Sequence, residues 1–117
     1  MLHLLMYSTV ALGVPQQLTQ QGRMLETDGT PVNGTHNLTF RLYDSPASSD
    51  VLWSESVSVI FTEGYYATML GADPGNALDS SVLEQSTLYL ELQLNSDAPL
   101  VPRQRLSSAP YARTAGV

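Results

Sequence analysis

Metal chemistry in this 117-residue chain would have to start from His3 and His36, because there is no cysteine. The two lie far apart, and neither has a partner at the spacing of a helical zinc motif. His36 opens an extended stretch between Asn33 and Asn37, where a solvated or hydrogen-bonded strand histidine is expected. Asp73, Asn76 and Asp79 crowd one loop with Gly71 and Gly75 and could offer oxygen ligands to calcium. Turn and cap roles account for the same residues and are preferred. No Gly-x-Ser-x-Gly elbow and no glycine-rich phosphate loop leads into a helix. The acids sit mostly at turns, so nothing singles out a glycosidase pair. A nucleophile, a base and an orienting group cannot be assembled. We expect a protein that is not an enzyme, with neither metal nor cofactor.

Aromatic residues offer a different chemistry. Trp53, Tyr65, Tyr66 and Tyr89 would make a sugar-binding platform if they shared one exposed face. Trp53 falls on the apolar side of its strand and is expected in the core. That leaves Tyr66 and Tyr89 as the glycan-binding candidates, with cross-strand packing as the plainer account of both. Asn33-Gly34-Thr35 and Asn37-Leu38-Thr39 match glycosylation sequons, which carry weight only outside bacteria and phage.

The net charge is -6, with 43% hydrophobic and 14% charged residues, and all five basic residues are arginine. Such a surface repels phosphates and anionic lipid, so nucleic acid is not an expected partner. The lack of cysteine removes disulfides and thiolate chemistry but does not fix a compartment. A Ser/Thr-rich, lysine-free β chain fits an extracellular, cell-surface or virion-surface setting.

These residues need a scaffold, and the pattern around Leu38, Phe40 and Leu42 supplies it. They alternate with Asn37, Thr39, Arg41 and Tyr43, as in a strand buried on one face. Thr87 to Asn95 alternates more cleanly still, with Leu88, Leu90, Leu92 and Leu94 on one side. These two strands are expected to be core partners. Val51 to Phe61 is a third strand, in which Glu55 interrupts the inward set and suggests a bulge or bend. Thr62-Glu63-Gly64 turns it into Tyr65 to Leu70 as a hairpin. Pro15 to Leu25 reads as an edge or linker strand because of its proline and glutamines. Leu78 to Glu84 suggests one helical turn capped by Asp79 or Ser80, and Leu100 to Leu106 a short edge strand. Many short strands separated by turns predict an all-β fold, an antiparallel β-sandwich of immunoglobulin-like or jelly-roll-like kind with one helical turn. The sandwich is expected over residues 15–106, with residues 107–117 as an exit segment.

Residues 1–14 form the most apolar run. Ala11 and Gly13 suit a signal-peptide cut near Val14, but no basic residue precedes the run. It is too short and too often interrupted to span a bilayer. If retained, it needs cover, either as a strand lent to a neighbouring subunit or as a helix in an oligomer core. Leu2, Leu4, Leu5, Met6, Val10, Leu12 and Leu18 are the expected assembly residues.

Several ordered segments carry a resemblance. They are Gln21-Gly22-Arg23-Met24-Leu25, Asp28-Gly29-Thr30-Pro31-Val32-Asn33-Gly34-Thr35, Thr39-Phe40-Arg41-Leu42-Tyr43-Asp44, Leu52-Trp53-Ser54-Glu55, Leu70-Gly71, and Pro102-Arg103-Gln104-Arg105-Leu106 with Pro110-Tyr111-Ala112. From Gln16 to Ala115 the chain resembles an N-terminal β-sandwich module of bacterial surface and phage tail-fibre-like proteins. That module commonly precedes a collagen-like, coiled-coil or other trimeric stalk. Relatives continue past the Pro-Tyr-Ala segment, whereas this sequence stops at Val117. A shortened longer protein and a module acting alone are both readings of that departure. The resemblance implies a structural subunit of an extracellular fibre, surface appendage or virion fibre, with itself as partner in a homo-oligomer or filament. Surface glycans are the alternative partner.

Overall fold

Clusters of turn-forming residues cut the chain into short extended segments, and each segment finds an antiparallel neighbour. The structure, a computed structural model, describes the backbone of residues 3–11 together with residues 17–106, the Ser80 side chain excepted. The elements are β1 (His3–Ala11), β2 (Gln17–Leu25), β3 (Gly34–Tyr43), β4 (Trp53–Phe61), β5 (Tyr65–Leu70), a 3-10 turn (Pro74–Asn76), α1 (Ser80–Leu83), β6 (Leu88–Leu94) and β7 (Gln104–Leu106). They form two sheets, ordered β1-β2-β5 and β4-β3-β6-β7. The architecture is the expected all-β sandwich. The exit segment, residues 107–117, lies outside the described residues.

The strands with the clearest alternation occupy the middle. Leu38, Phe40 and Leu42 of β3 stand opposite Leu94, Leu92 and Leu90 of β6, and all six side chains are buried. Each such leucine or phenylalanine contributes roughly 1.5–3 kcal/mol when taken out of water. From the opposite sheet Leu18, Met24, Tyr66 and Leu70 join them in one core, with Trp53, Val59 and Phe61 of β4 closing one side.

Three expectations need correction. First, β2 is neither edge nor linker, because it pairs with β1 along its full length and with β5 on the other side. Its inward set is Leu18, Gln20, Gly22 and Met24, so a fully buried glutamine holds a core position. Second, β4 runs without a bulge at Glu55, which stays in register opposite Phe40. The carboxylate is accommodated because Glu55 Oε1 accepts the Gly71 N–H at 3.2 Å, at the end of a strand in the other sheet. Third, β4 and β5 are not a hairpin within one sheet, since they belong to different sheets. The turn between them, with Glu63 at φ 52° and Gly64 at φ 85°, is held by the far sheet. Gly64 donates to the Val32 carbonyl and accepts from the Met24 N–H, both at 2.8 Å.

The apolar N-terminal run also has a different place from the one expected. Residues His3 to Ala11 pair with Leu25 to Gln17 of their own chain, so they complete this sandwich instead of a neighbour's. An apolar segment next in sequence to β2 reaches that strand at little loop-closure cost. The sandwich therefore begins before residue 15. The helical turn is where the sequence puts it, with Asp79 Oδ1 accepting the Ser81 N–H at 3.0 Å.

Candidate functional site

Charges are scarce in this chain, so their meeting on one sheet face is informative. Arg41 near the end of β3 stands opposite Glu91 in the middle of β6, both on the side facing away from the core. Arg41 Nη1 lies 3.2 Å from Glu91 Oε1, and Arg103, from the segment before β7, places Nε 3.3 Å from Oε2. The Tyr43 hydroxyl donates to Glu91 Oε1 at 3.3 Å. Arg41 Nη2 donates to Gln93 Oε1 at 2.8 Å, and Arg103 Nη1 donates to the Ser45 carbonyl at 3.1 Å. Glu91 is only 8% exposed. Burial, reinforced by the Glu91 charge, pushes the Tyr43 hydroxyl above its ordinary range. Both carboxylate oxygens are occupied, so the cluster is a closed ion network that fastens the segment before β7 to the sheet. It has no free acid or base to offer a substrate.

The residues weighed for metal chemistry are engaged in local structure. His36 Nε2 is 2.8 Å from the Asn33 carbonyl and its Nδ1 is 3.1 Å from Asn95 Nδ2. Its ring meets Phe61 edge-on, with centroids 5.7 Å apart. Of His3 only the backbone is described, as part of β1. Asp73 caps the 3-10 turn through the Gly75 N–H at 2.9 Å, Asp79 caps α1, and Asn76 donates to the Ser54 carbonyl at 2.8 Å. Among the described residues, no group of three His, Asp or Glu side chains could hold a metal ion.

The aromatic candidates separate. Trp53 is buried and donates its indole N–H to the Asn76 carbonyl at 3.2 Å. Tyr66 is not on an exposed face. It points into the core, 5% exposed, with its ring 5.3 Å from Phe61, and burial pushes its hydroxyl well up. Tyr89 is half-buried on the outer face of the other sheet, beside Tyr43 and Arg105. The structure therefore does not bring Tyr66 and Tyr89 together. Tyr65 is the exposed aromatic of this pair of neighbours, and the Arg23 guanidinium lies 5.0 Å from its ring centre.

Of the expected assembly residues, Leu18 is fully buried in the core and has no surface to offer. Leu4, Leu5, Met6 and Val10 lie in β1, where the backbone alone is described, and Leu2 and Leu12 fall outside the described residues.

What the fold leaves open is an edge. Among the described residues β4 pairs with β3 only, and its direction can be worked out from one residue. Asn37 both donates to Asn95 Oδ1 and accepts from the Asn95 N–H, so its main-chain groups face β6. Main-chain groups alternate along an antiparallel strand. Leu38, Phe40 and Leu42 therefore face β4, and their partners Val57, Glu55 and Trp53 face back. Ser54, Ser56, Ser58 and Ile60 then turn their N–H and C=O groups outward, which agrees with Asn76 reaching the Ser54 carbonyl. Thr62, next in that series, gives both its N–H and its carbonyl to Tyr65. Among the described residues, no strand covers the main chain from Ser56 to Ile60 on that side. The side chains there are Ser56 and Ser58, both exposed, and Ile60, which is 71% exposed.

The family model described as "Domain of unknown function (DUF8740)" matches residues 19–103. No curated protein and no solved structure matches the chain. No helix among the described residues is long and apolar enough to cross a membrane.

Proposed function

The chain belongs to the DUF8740 family, and on that footing we propose that it is a non-enzymatic structural module that associates with copies of itself through its sheet edges. The setting we propose is an extracellular fibre, surface appendage or virion fibre. One observation carries the reading, which is the edge of β4 from Ser56 to Ile60, left uncovered by any strand among the described residues. Natural edge strands are kept apart by lysine, proline, bulges or shortness. β4 is nine residues long, unbulged, and holds neither lysine nor proline. Its one charge, Glu55, is turned to Gly71 in the other sheet. Such a strand is a template for strand addition, with main-chain hydrogen bonds supplying the affinity. The resemblance to tail-fibre-like modules and the lysine-free, serine-rich composition support the setting. Glycan binding by Tyr66 with Tyr89 is not carried forward, because Tyr66 lies in the core.

Ser58→Pro tests this reading. It removes one outward-facing N–H and leaves the β3–β4 ladder intact, as edge prolines do. We expect light scattering over a concentration series to show self-association of the parent chain. The variant should stay monomeric with an unchanged circular dichroism spectrum. Val57→Pro, by contrast, removes a ladder donor and should unfold the protein. A parent chain that is monomeric at every concentration, or association untouched by Ser58→Pro, overturns the proposal.

A further inference from the structure

We infer that β4 pairs with β4 of a second copy, antiparallel, about a two-fold axis through Ser58. This inference rests on the edge-assembly reading and adds its partner and its register. The register follows from what closes the edge at each end. Asn76 Nδ2 occupies the Ser54 carbonyl, and Tyr65 occupies both main-chain groups of Thr62. Between them the outward groups of Ser56, Ser58 and Ile60 are uncovered, and Ser58 is the middle of the three. Antiparallel pairing about that middle sets Ser58 against Ser58, and Ser56 against Ile60 in both directions. These are the residues whose main-chain groups point outward, so each pair exchanges two hydrogen bonds.

The stretch also suits a copy of itself. From Ser56 to Ile60 there is no charge, so self-juxtaposition sets no like charges opposite one another. That matters in a chain whose net charge is -6. Ile60 gains cover beside the partner's Ser56, and Val57 comes opposite the partner's Val59 on the core side. The contact is isologous, the same patch on both subunits. It joins two four-stranded sheets into one continuous sheet.

The absence of cysteine makes a direct test available, because each introduced thiol is the only one in its chain. In this register the two Ser58 Cα atoms stand about 5.5 Å apart, within disulfide reach. Two Ser56 positions stand roughly 14–15 Å apart, from four residues at about 3.4 Å each along the strand and about 5.5 Å across, which is beyond reach. Under mild oxidation Ser58→Cys should form a linked dimer at least about ten-fold faster than Ser56→Cys. A mixture of Ser56→Cys and Ile60→Cys chains should form the mixed dimer in preference to either self-linked one. Association by light scattering with linking at Ser56 alone, at Ile60 alone or at none of these positions overturns the two-fold register while leaving edge assembly standing. A chain that neither associates nor links overturns both.

Discussion

Arg103 lies over the face of Tyr43, with its guanidinium carbon 3.4 Å from the ring centre. The same side chain reaches Glu91 Oε2 and the Ser45 carbonyl, so one arginine joins the segment before β7 to β3 and β6. Removing it leaves Glu91 with Arg41 and the Tyr43 hydroxyl on Oε1 and strips the ion pair from Oε2 in a largely buried setting. We expect Arg103→Ala to lower the unfolding free energy by about 3 kcal/mol, as breaking a buried pair does. Arg103→Lys should recover only part of this, since an ammonium group keeps the charge but loses the planar stacking. Urea titrations of the three proteins check the order. Equal midpoints would mean that the network contributes nothing.

Tyr66 should show itself at high pH. Its hydroxyl is buried without a hydrogen-bond partner among the described residues, and burial holds its proton on well above the ordinary tyrosine range. The unfolded chain releases that proton near pH 10, where the folded chain still binds it. The contribution is therefore intact below about pH 10 and is lost as pH rises from there toward the folded value. Tyr66→Phe should match or exceed the parent by up to about 1 kcal/mol at pH 7. It should also lose stability less steeply above pH 10, with Tyr43 accounting for part of the remaining slope. Urea titrations at neutral and alkaline pH decide it, and an unchanged alkaline slope counts against this role for Tyr66.

Two glycines of the same backbone class should respond differently to alanine. Gly64 and Gly34 both have positive φ, 85° and 91°. A Cβ on Gly34 meets nothing within 4 Å, whereas one on Gly64 falls 2.7 Å from the Met24 carbonyl oxygen. Gly34→Ala should therefore cost only the left-handed conformation, about 1–2 kcal/mol. Gly64→Ala adds displacement of a β2 carbonyl and should cost more, about 3 kcal/mol or above. Thermal melts of the two variants side by side test the ordering.

Asn76 should report on the end of the β4 edge. Its side chain donates to Ser54 and its carbonyl accepts from Trp53. Asn76→Ala removes the first bond and keeps the second, at a cost of about 1 kcal/mol. Because the chain has a single tryptophan, its fluorescence follows unfolding directly. We expect native emission to stay blue-shifted in the variant while the urea midpoint falls. A midpoint at or above the parent value would contradict the assignment.

The legible parts of the sequence are those where period and composition agree. Leu38 to Leu42 and Leu88 to Leu94 alternate without interruption, and their pairing is as expected. Asp79 before a short apolar run is a cap in the structure too. Where the two signals disagree, composition misleads. β2 reads as an edge strand because of its glutamines, yet Gln20 holds an inward position with no exposed surface. Tyr65 and Tyr66 are adjacent and alike, so nothing in their types says which faces the core; Tyr66, Thr68 and Leu70 share the inward parity. Glu55 suggests a bulge, but an acceptor for Gly71 satisfies the same position without one. The Arg41–Glu91 pair could have been found, as each is a lone charge on an otherwise uncharged strand. Arg103 could not, because its segment carries no periodicity and its partners are set by long-range folding.

The hydrogen bond from Asn76 to the Ser54 carbonyl has a consequence for solubility. A steric zipper needs a bare segment of roughly six or seven residues to stack on. The interval from Ser56 to Ile60 is shorter than that, stopped by an asparagine side chain at one end and by a tight reversal at the other. A foreign β-strand that docks there runs into a barrier before it can nucleate amyloid. On the edge-pairing proposal, the border is wide enough for one partner strand and too narrow for a zipper.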